Sequence, residues 1–323
     1  MQSIRHTSDS SCGISVVKVL ITVLLCVAAL GIVLRVSVHD TFATMAAAYY
    51  VLTPMVIAIV LGGAALLLVV SRRYFSASAV LTAAVLMGFV ETTEQLGGAS
   101  CTYTGLPELR VVTWNIGGAS GGWRSIRQNV ADVLADLDAN IILLSEANAA
   151  RNPKFWRARL PGYSVAVARA MGIVILSKSS LQDVRVQELG RRAYLVTARA
   201  DVQGRPLELF MVDFPSSPRA TRQKFIQNPQ LLRPPDVGTG RILMGDFNTP
   251  RDSTWFAAYQ GLYNNAFDQS GTGWRKTWPA VLPVLDIDHI WTAGNLQSVC
   301  TRVPDIRLSD HRPVIADLAW NSD

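Results

Sequence analysis

The sequence predicts an α/β domain of stacked β-sheets covered by helices, preceded by three membrane-spanning helices. The 323 residues are 50% apolar but only 17% charged, whereas an average soluble domain is about 25% charged. Apolar residues are concentrated in the first third of the chain, and short β-rich runs separated by Gly, Pro, Asn and Asp follow. This composition excludes a disordered chain, and the length indicates two units. A net charge of +6 is small for a nucleic-acid-binding protein.

Three uncharged apolar stretches predict the membrane helices. They lie between Lys18 and Arg35, between Asp40 and Arg72, and between Arg73 and Glu91. A bilayer core about 30 Å thick requires about 20 apolar residues, so the second stretch is long enough. The other two need Lys18, Arg35 and Arg73 to extend towards the interface. The predicted helices are about 17–36, 45–70 and 74–92, within a membrane anchor formed by residues 1–96.

Two other interpretations of these stretches stay open. The first stretch has the flanking charge and the length of a cleaved signal peptide, although no clear cleavage site follows it. Three buried helices of a soluble bundle would also be apolar, but the polar face that such helices present to water is missing.

The basic residues beside the stretches predict the orientation. Arg5 and Lys18 precede the first stretch, and Arg72 and Arg73 separate the second from the third. Positive residues favour the cytoplasmic side. We therefore expect the amino terminus inside and everything after about residue 95 outside, with Arg35 as the exception.

The four cysteines divide between the two predicted parts of the chain. Cys12 and Cys26 belong to the anchor, which leaves Cys101 and Cys300 in the exported part. An oxidising compartment would allow these two to pair, and two unpaired thiols are the alternative. The absence of a Cys-x-x-Cys motif argues against a structural zinc site.

Residues 97–108 form a predicted linker, and residues 109–323 form a second domain. Helical periodicity is clearest over 123–139, and another helix is expected to begin at Pro218. Several fully apolar strands with few helices indicate sheets covered by helices. The candidate strands are 109–114, 140–146, 163–169, 172–178, 193–202, 207–214, 241–247, 287–292 and 313–320.

Polar side chains follow three of these strands. Asn115 and Glu146 each end one strand, and Asp246 and Asn248 end a third. Residues two apart in an extended chain point the same way, so Asp246 and Asn248 are expected to face one site together.

Two later motifs place an acid beside a histidine: Asp288-His289 and Asp310-His311. Oxygen ligands at scattered strand ends suit Mg²⁺ or Mn²⁺. A histidine that does not bind the ion can then act on a phosphate or on the attacking water. Each residue alone also fits a turn, a cap or a surface position, but the ordered set favours a metal site.

Six motifs carry a family resemblance: TWNIGG (113–118), LLSEAN (143–148), GIVILSK (172–178), MGDFNTP (244–250), IDHIW (287–291) and SDHRPV (309–314). On these residues the sequence resembles the endonuclease/exonuclease/phosphatase superfamily over about residues 109–320. That superfamily includes pancreatic-type deoxyribonucleases, abasic-site endonucleases, neutral sphingomyelinases and inositol polyphosphate 5-phosphatases. With its three leading helices, the chain resembles the membrane-bound bacterial subgroup that includes teicoplanin-resistance proteins.

The resemblance implies a four-layer α/β/β/α sandwich of two mixed sheets, with the site at one edge of the paired sheets. It assigns the metal to Asn115, Glu146 and Asp310. It implies that Asp246 orients or deprotonates the attacking water and that Asn248 holds the phosphate. His311, steadied by Asp288, would stabilise or protonate the transition state.

One position departs from the family pattern. The strand before the Ser-Ser-Pro turn usually carries a histidine, and here that position is Asp213. If the histidine is the general acid, its loss could cost on the order of 10²–10⁴ in rate. An aspartate could instead bind a second metal, or hold a proton if burial raised its pKa. Separately, Trp278 could stack on a substrate or belong to the core.

Together these features predict a membrane-anchored, Mg²⁺- or Mn²⁺-dependent phosphoesterase that hydrolyses phosphate ester or pyrophosphate bonds outside the cytoplasmic membrane. Anchoring favours a lipid-linked phosphate, because a substrate on the same surface gains effective concentration. The alternatives are an extracytoplasmic nuclease, for which no dense basic run appears, and a catalytically silent scaffold that keeps the fold. The lipid bilayer and a phosphate-containing substrate are the expected partners, and no protein partner can be inferred.

Overall fold

A computed structural model of the chain separates into two compact units, Met1–Glu94 and Gln95–Asp323. The structure describes residues 9–98, 101, 108–117, 123–148, 150–169, 171–190, 192–217 and 222–321. The expected helix start at Pro218 lies outside these residues.

The first unit is helical. Its elements are α1 (Asp9–Val33), continued by a π-helix (Leu34–Val38), α2 (Ala43–Val51), α3 (Pro54–Val70) and α4 (Tyr74–Gln95). Among the residues that the structure describes, two helical segments, Val16–Val38 and Tyr74–Gln95, are long and apolar enough to cross a membrane. A third crossing requires α2 and α3, which are bent by 63°, to count as one broken span.

The break between α2 and α3 corrects the prediction of one continuous helix over 45–70. Pro54 has no N–H to donate and begins α3, whose N-cap Thr53 accepts a hydrogen bond from the Val56 N–H. Arg35 donates to the carbonyl oxygens of Tyr49 and Leu52 at 2.9 and 3.1 Å. Arg35, which was expected to extend towards the interface, therefore satisfies carbonyls at the end of α2 that have no partner within the helix.

The second unit contains two β-sheets. The eight-stranded sheet has the order β1-β11-β13-β14-β2-β3-β5-β4 and the six-stranded sheet has the order β10-β12-β9-β8-β7-β6. The strands are β1 (Leu96–Gly98), β2 (Leu109–Asn115), β3 (Ile141–Ser145), β4 (Ser164–Ala168), β5 (Ile173–Ser177), β6 (Leu181–Gly190), β7 (Ala193–Val202), β8 (Arg205–Asp213), β9 (Gly240–Asp246), β10 (Asn264–Asn265), β11 (Gly271–Trp274), β12 (Asp288–Gly294), β13 (Leu296–Arg302) and β14 (Val314–Trp320).

Helices cover the outer faces of both sheets. Trp156 and Leu134 pack on the eight-stranded sheet, and Phe225 packs on the six-stranded sheet. Both sheets mix parallel and antiparallel pairs, so the predicted four-layer α/β/β/α sandwich is confirmed. The helices of this unit are α5 (Trp123–Leu137), α6 (Pro153–Arg159), α7 (Arg222–Ile226), α8 (Pro229–Leu232) and α9 (Ala266–Ser270), with a 3₁₀-helix at Thr254–Tyr259.

Strand β8 shows how the sequence produces these layers. Leu209 and Met211 belong to the core between the sheets, while Phe210 and Val212 pack with the outer layer. Alternate residues of a strand point to opposite faces, so a strand covered on both sides needs apolar residues at every position.

Several elements differ from the prediction. β1, β6, β10, β11 and β13 were not among the candidate strands. Gly97 and Gly98, assigned to the linker, form β1 with Leu96 and pair with β11. The second predicted helix is divided into α7 and α8, because Pro229 cannot continue a helix from α7 and instead begins α8.

Cys101 and Cys300 form a disulfide with a Cα–Cα distance of 5.0 Å, so the paired alternative is the one that the structure shows. The crosslink ties the segment after β1 to the buried strand β13. Cys26 is a free, exposed thiol.

Replacing both disulfide cysteines by serine is expected to lower the melting temperature of the second unit by several degrees. Loss of a native disulfide typically costs about 2–5 kcal/mol. Thermal unfolding with and without dithiothreitol measures the effect, and Cys26→Ser provides the matched control. Equal melting temperatures for oxidised and reduced wild type would contradict the stabilising role.

Candidate active site

Three carboxylates lie side by side on neighbouring strands of the six-stranded sheet. Asp246, the last residue of β9, is the register partner of Asp213 on the parallel strand β8 and of Asp288 on the antiparallel strand β12. Register partners project from the same face of a sheet. The ends of these three strands therefore bring the acids together, and all three are buried.

The eight-stranded sheet contributes an amide and a fourth carboxylate. Asn115 Nδ2 donates to Asp246 Oδ2 at 2.9 Å and to Glu146 Oε1 at 3.0 Å, so this amide bridges the two acids. Its Oδ1 accepts from the Gly117 N–H at 2.9 Å. A Cβ at Gly117 would clash with Glu146 Oε2, so a side chain there would displace the carboxylate.

His311 is fixed beside the same cluster. Its Nδ1 donates to Asp288 Oδ2 at 2.8 Å, and the Thr277 hydroxyl donates to the same oxygen at 2.6 Å. The Ser309 hydroxyl accepts from the His311 backbone N–H at 3.3 Å and lies 2.8 Å from the Asn115 carbonyl oxygen. With Nδ1 held by Asp288, Nε2 of His311 is the ring atom left for chemistry.

The crowded charges shift the proton affinities of the cluster. Burial, followed by the Asp288 carboxylate, raises the pKa of Asp246 to about 7. Burial and the neighbouring carboxylates raise the pKa of Asp213 well above its ordinary value. Burial lowers the pKa of His311, but Asp288, Asp246 and Asp310 outweigh it and raise that pKa to about 10. His311 is therefore an imidazolium at neutral pH.

The donor set fits a small divalent cation. A carboxylate oxygen of Asp246 and one of Asp288 lie within 4.8 Å of each other, beside the His311 ring. Asp288 Oδ1 is buried without a hydrogen-bond partner in the described part of the chain. Carboxylate and amide oxygens suit Mg²⁺ or Mn²⁺, and a cation would offset the repulsion within the cluster.

Two of the three predicted metal ligands lie together, and the third, Asp310, lies on the surface. Asn115 and Glu146 contact each other in the cluster. Asp310 is exposed, and its Oδ1 lies 3.2 Å from the Ser309 hydroxyl.

Asn248 corrects the argument from strand alternation. β9 ends at Asp246, and Asn248 has a left-handed backbone with φ of 47°. Its backbone N–H donates to Asp246 Oδ1 at 2.8 Å, and its Nδ2 donates to the Phe214 carbonyl at 2.7 Å. Asn248 thus lies beside Asp246, but a turn rather than extended chain places it there.

Trp278 and His289 lie outside the group of bonded acids. Trp278 is half-buried, and its backbone pairs with Leu285. His289 bonds to the Thr249 carbonyl oxygen at 2.9 Å and packs against Phe247. Burial lowers its pKa to about 4, so the other histidine of the second unit is a neutral core residue.

Thr277 and Ser309 hold Asp288 and His311 in place, but neither residue was predicted from the sequence to do so. Ser309 stands inside the SDHRPV motif, which could have drawn attention to it. Thr277 is 11 residues from Asp288, and no spacing pattern predicts that contact.

The chain resembles known proteins in sequence and in fold. The sequence model of the Endonuclease/Exonuclease/phosphatase family matches residues 112–311, more than half of the chain. No curated protein matches the sequence significantly.

Solved structures share the fold at low identity. An endonuclease/exonuclease/phosphatase family protein from Bacteroides thetaiotaomicron is 16% identical with a TM-score of 0.57, covering 67% of this chain and 98% of that one. A mannosyl-6-phosphatase from the same species is 16% identical with a TM-score of 0.56, covering 66% and 100%. TDP2 from D. rerio, complexed with a single-strand DNA product, is 14% identical with a TM-score of 0.53, covering 65% and 98%. Members of the matched family are phosphoesterases, nucleases or phosphatases, and this chain belongs to the endonuclease/exonuclease/phosphatase family.

Proposed function

We propose that this protein is a membrane-anchored, divalent-metal-dependent phosphoesterase that hydrolyses a phosphate ester or pyrophosphate bond of a lipid-linked substrate outside the cytoplasmic membrane. The observation that carries the proposal is the position of Asp246. Its carboxylate lies between the Asn115–Glu146 pair and the Asp288–His311 pair.

In this proposal the two pairs have different tasks. Asn115 and Glu146 would hold Mg²⁺ or Mn²⁺, and Asp310 would complete the site from its exposed position. When bound, the ion would neutralise charge on the phosphate oxygens. Asp246 would accept a proton from the attacking water, and Asn248 beside it would position the phosphate.

His311 would supply positive charge and a proton from Nε2 to a phosphate oxygen. The bond from Nδ1 to Asp288 fixes the ring and stabilises the imidazolium, and the Thr277 hydroxyl holds the carboxylate in place. Fixed donors directed at developing charge are the usual source of rate enhancement in phosphoryl transfer.

Three features support placement outside the cytoplasm. The disulfide is typical of an oxidising compartment. With the bent pair of α2 and α3 counted as one span, the chain would cross the membrane three times. Lys18, Arg72 and Arg73 favour the cytoplasmic side for the amino terminus and for the segment before α4, which would leave the second unit on the outer side. Membership in the membrane-bound bacterial subgroup rests on this architecture.

The activity is tested with the purified full-length chain in detergent. We expect Mg²⁺- or Mn²⁺-dependent hydrolysis of undecaprenyl pyrophosphate and of the soluble diester bis-p-nitrophenyl phosphate. EDTA or His311→Ala should abolish both reactions. Preferred cleavage of DNA would favour the nuclease, for which the DNA-bound TDP2 structure is the specific precedent. No metal-dependent turnover of any phosphate substrate would favour the silent scaffold.

The topology is tested with a tag at the carboxyl terminus in intact cells. Protease added outside should remove the tag. Complete protection by the membrane would contradict the proposed orientation.

A further inference from the structure

Val281 and Leu282 form an exposed apolar pair in the second unit. Their side chains are 72% and 71% exposed. Isolated exposed apolar residues are common on protein surfaces. Two adjacent ones at the tip of an ordered hairpin expose a larger continuous apolar surface.

The hairpin, defined as residues 277–285, is fixed by its own backbone. The Trp278 N–H donates to the Leu285 carbonyl at 2.9 Å, and the Leu285 N–H donates to the Trp278 carbonyl at 2.8 Å. The Leu282 N–H donates to the Pro279 carbonyl at 3.1 Å and closes the turn. The structure therefore holds the apolar tip outward instead of folding it into the core.

Side chains from outside the hairpin hold its two arms. Lys276 Nζ donates to the Val284 carbonyl at 2.7 Å, Trp274 Nε1 to the Pro283 carbonyl at 3.2 Å, and Arg312 Nε to the Ala280 carbonyl at 2.8 Å. These bonds restrict motion of the tip relative to the domain.

The base of the hairpin belongs to the candidate active site. Thr277 donates to the Asp288 carboxylate at 2.6 Å, and the Ala280 N–H donates to the Asp310 carbonyl at 2.7 Å. A surface that binds Val281 and Leu282 would therefore lie close to the acids and to His311 in the candidate active site.

The chemistry of the hairpin favours a lipid over a polyanion. Residues 277–285 read TWPAVLPVL and contain no charged residue. Nucleic-acid binding depends on cations that neutralise phosphates, whereas apolar side chains at a membrane interface gain by entering the hydrocarbon.

Chain connectivity points to the same partner. Leu96 is the register partner of Trp274, and the Arg275 N–H donates to the Gln95 carbonyl at 3.1 Å. Gln95 ends α4, which is apolar enough to cross a membrane. A chain that leaves a bilayer at Gln95 therefore starts its second unit beside the residues that lead into the hairpin.

We propose that Val281 and Leu282 insert into the hydrocarbon edge of the bilayer and dock the active site on the lipid surface that carries its substrate. This inference rests on the proposed phosphoesterase function and specifies its substrate as one presented by a membrane. The hairpin positions the site at the surface, and neither tip residue takes part in the chemical step.

The test compares V281S/L282S with V184S/V186S, in which two exposed valines of the edge strand β6 are changed. Each full-length protein is reconstituted in liposomes and given either a lipid pyrophosphate or soluble bis-p-nitrophenyl phosphate. We expect V281S/L282S to raise KM for the lipid on the order of ten- to a hundredfold. Its kcat and its turnover of the soluble diester should match those of the control. Equal lipid KM values in the two variants, or an equal loss on both substrates, would overturn the docking role.

A second measurement does not depend on turnover. A fluorophore attached to L282C in a Cys12→Ser/Cys26→Ser background should be quenched by spin-labelled lipid and protected from aqueous iodide. The same label at V237C, another exposed position, should show the reverse. Iodide quenching at L282C equal to that at V237C would overturn the insertion. Lipid quenching without metal-dependent turnover would leave the docking intact and reject the proposed enzyme.

Discussion

Asp246→Asn is expected to lower kcat roughly 10³- to 10⁴-fold while leaving the folded protein as stable as wild type or more stable. Asn keeps the shape of the side chain but cannot accept a proton from water, and general-base catalysis contributes on this scale. Asp246 lies between Asp213 and Asp288 in the sheet register. Removing its charge therefore relieves the penalty of burying it and its repulsion with Asp288, so that stability and activity change in opposite directions.

The pH dependence of stability gives this prediction a second signature. The folded pKa of Asp246 is about 7, and the unfolded value is near 3.9. Between these values the folded state holds a proton that the unfolded state has lost. The free energy of unfolding therefore falls as pH rises from about 4 to 7. Asparagine does not titrate, so the stability gain of Asp246→Asn should grow across this range.

Wild type must be measured at the same pH values, because the titration of His289 changes the stability of the protein in the opposite direction. Its pKa is lowered to about 4, so its contribution makes the protein more stable as pH rises from about 4 to 6.5. The difference between the melting temperatures of both proteins in EDTA at each pH measures the contribution of Asp246 together with that of Asp213 and His311, whose pKa values Asp246 raises. A difference that stays constant with pH, or a destabilised variant, would show that the acid cluster is not strained by repulsion.

Strands with two buried faces, such as β3 and β5, could be predicted from the sequence, whereas the exposed edge strand β6 could not. β3 and β5 are runs of Ile, Leu and Val, because neighbouring layers cover both of their faces. β6 lies at the edge of its sheet, and most of its residues are exposed. No burial pattern constrains its sequence, so neither alternation nor an apolar run marks it.

The residues with catalytic chemistry could be identified more readily than the bonds between them. Asp246 and His311 stand in compact motifs, but the Asn115 amide that joins Asp246 to Glu146 depends on two sheets packing face to face. Asn248 is near Asp246 because of a left-handed turn that the strand periodicity does not predict. Tertiary packing decides these details, and local sequence patterns do not contain it.

Asp213→Asn is expected to reduce kcat on the order of 10²- to 10³-fold without lowering the melting temperature. Asp213 is buried, and burial together with Asp246, Glu146 and Asp288 raises its pKa well above the ordinary value. Asp213 is therefore expected to be a neutral carboxylic acid at pH 7. Such a group can donate a proton to a leaving oxygen, as the histidine usual at this position would, whereas the asparagine amide cannot.

The alternative is that Asp213 binds a second metal ion, and a Mg²⁺ titration separates the two roles. For a proton donor, Asp213→Asn should lower kcat at every Mg²⁺ concentration and leave the half-saturating concentration unchanged. For a metal ligand, the half-saturating concentration should rise and kcat should recover when Mg²⁺ is in excess.

Asp213→His completes this test, because histidine is the residue that the family resemblance leads us to expect at this position. If the position supplies a proton, kcat of Asp213→His should be at least tenfold higher than kcat of Asp213→Asn, a difference on the scale of general-acid catalysis. The acid limb of the kcat profile should then report a titrating imidazole in place of a carboxyl group. A histidine variant as slow as the asparagine variant, with an unchanged pH profile, would reject proton donation at this position.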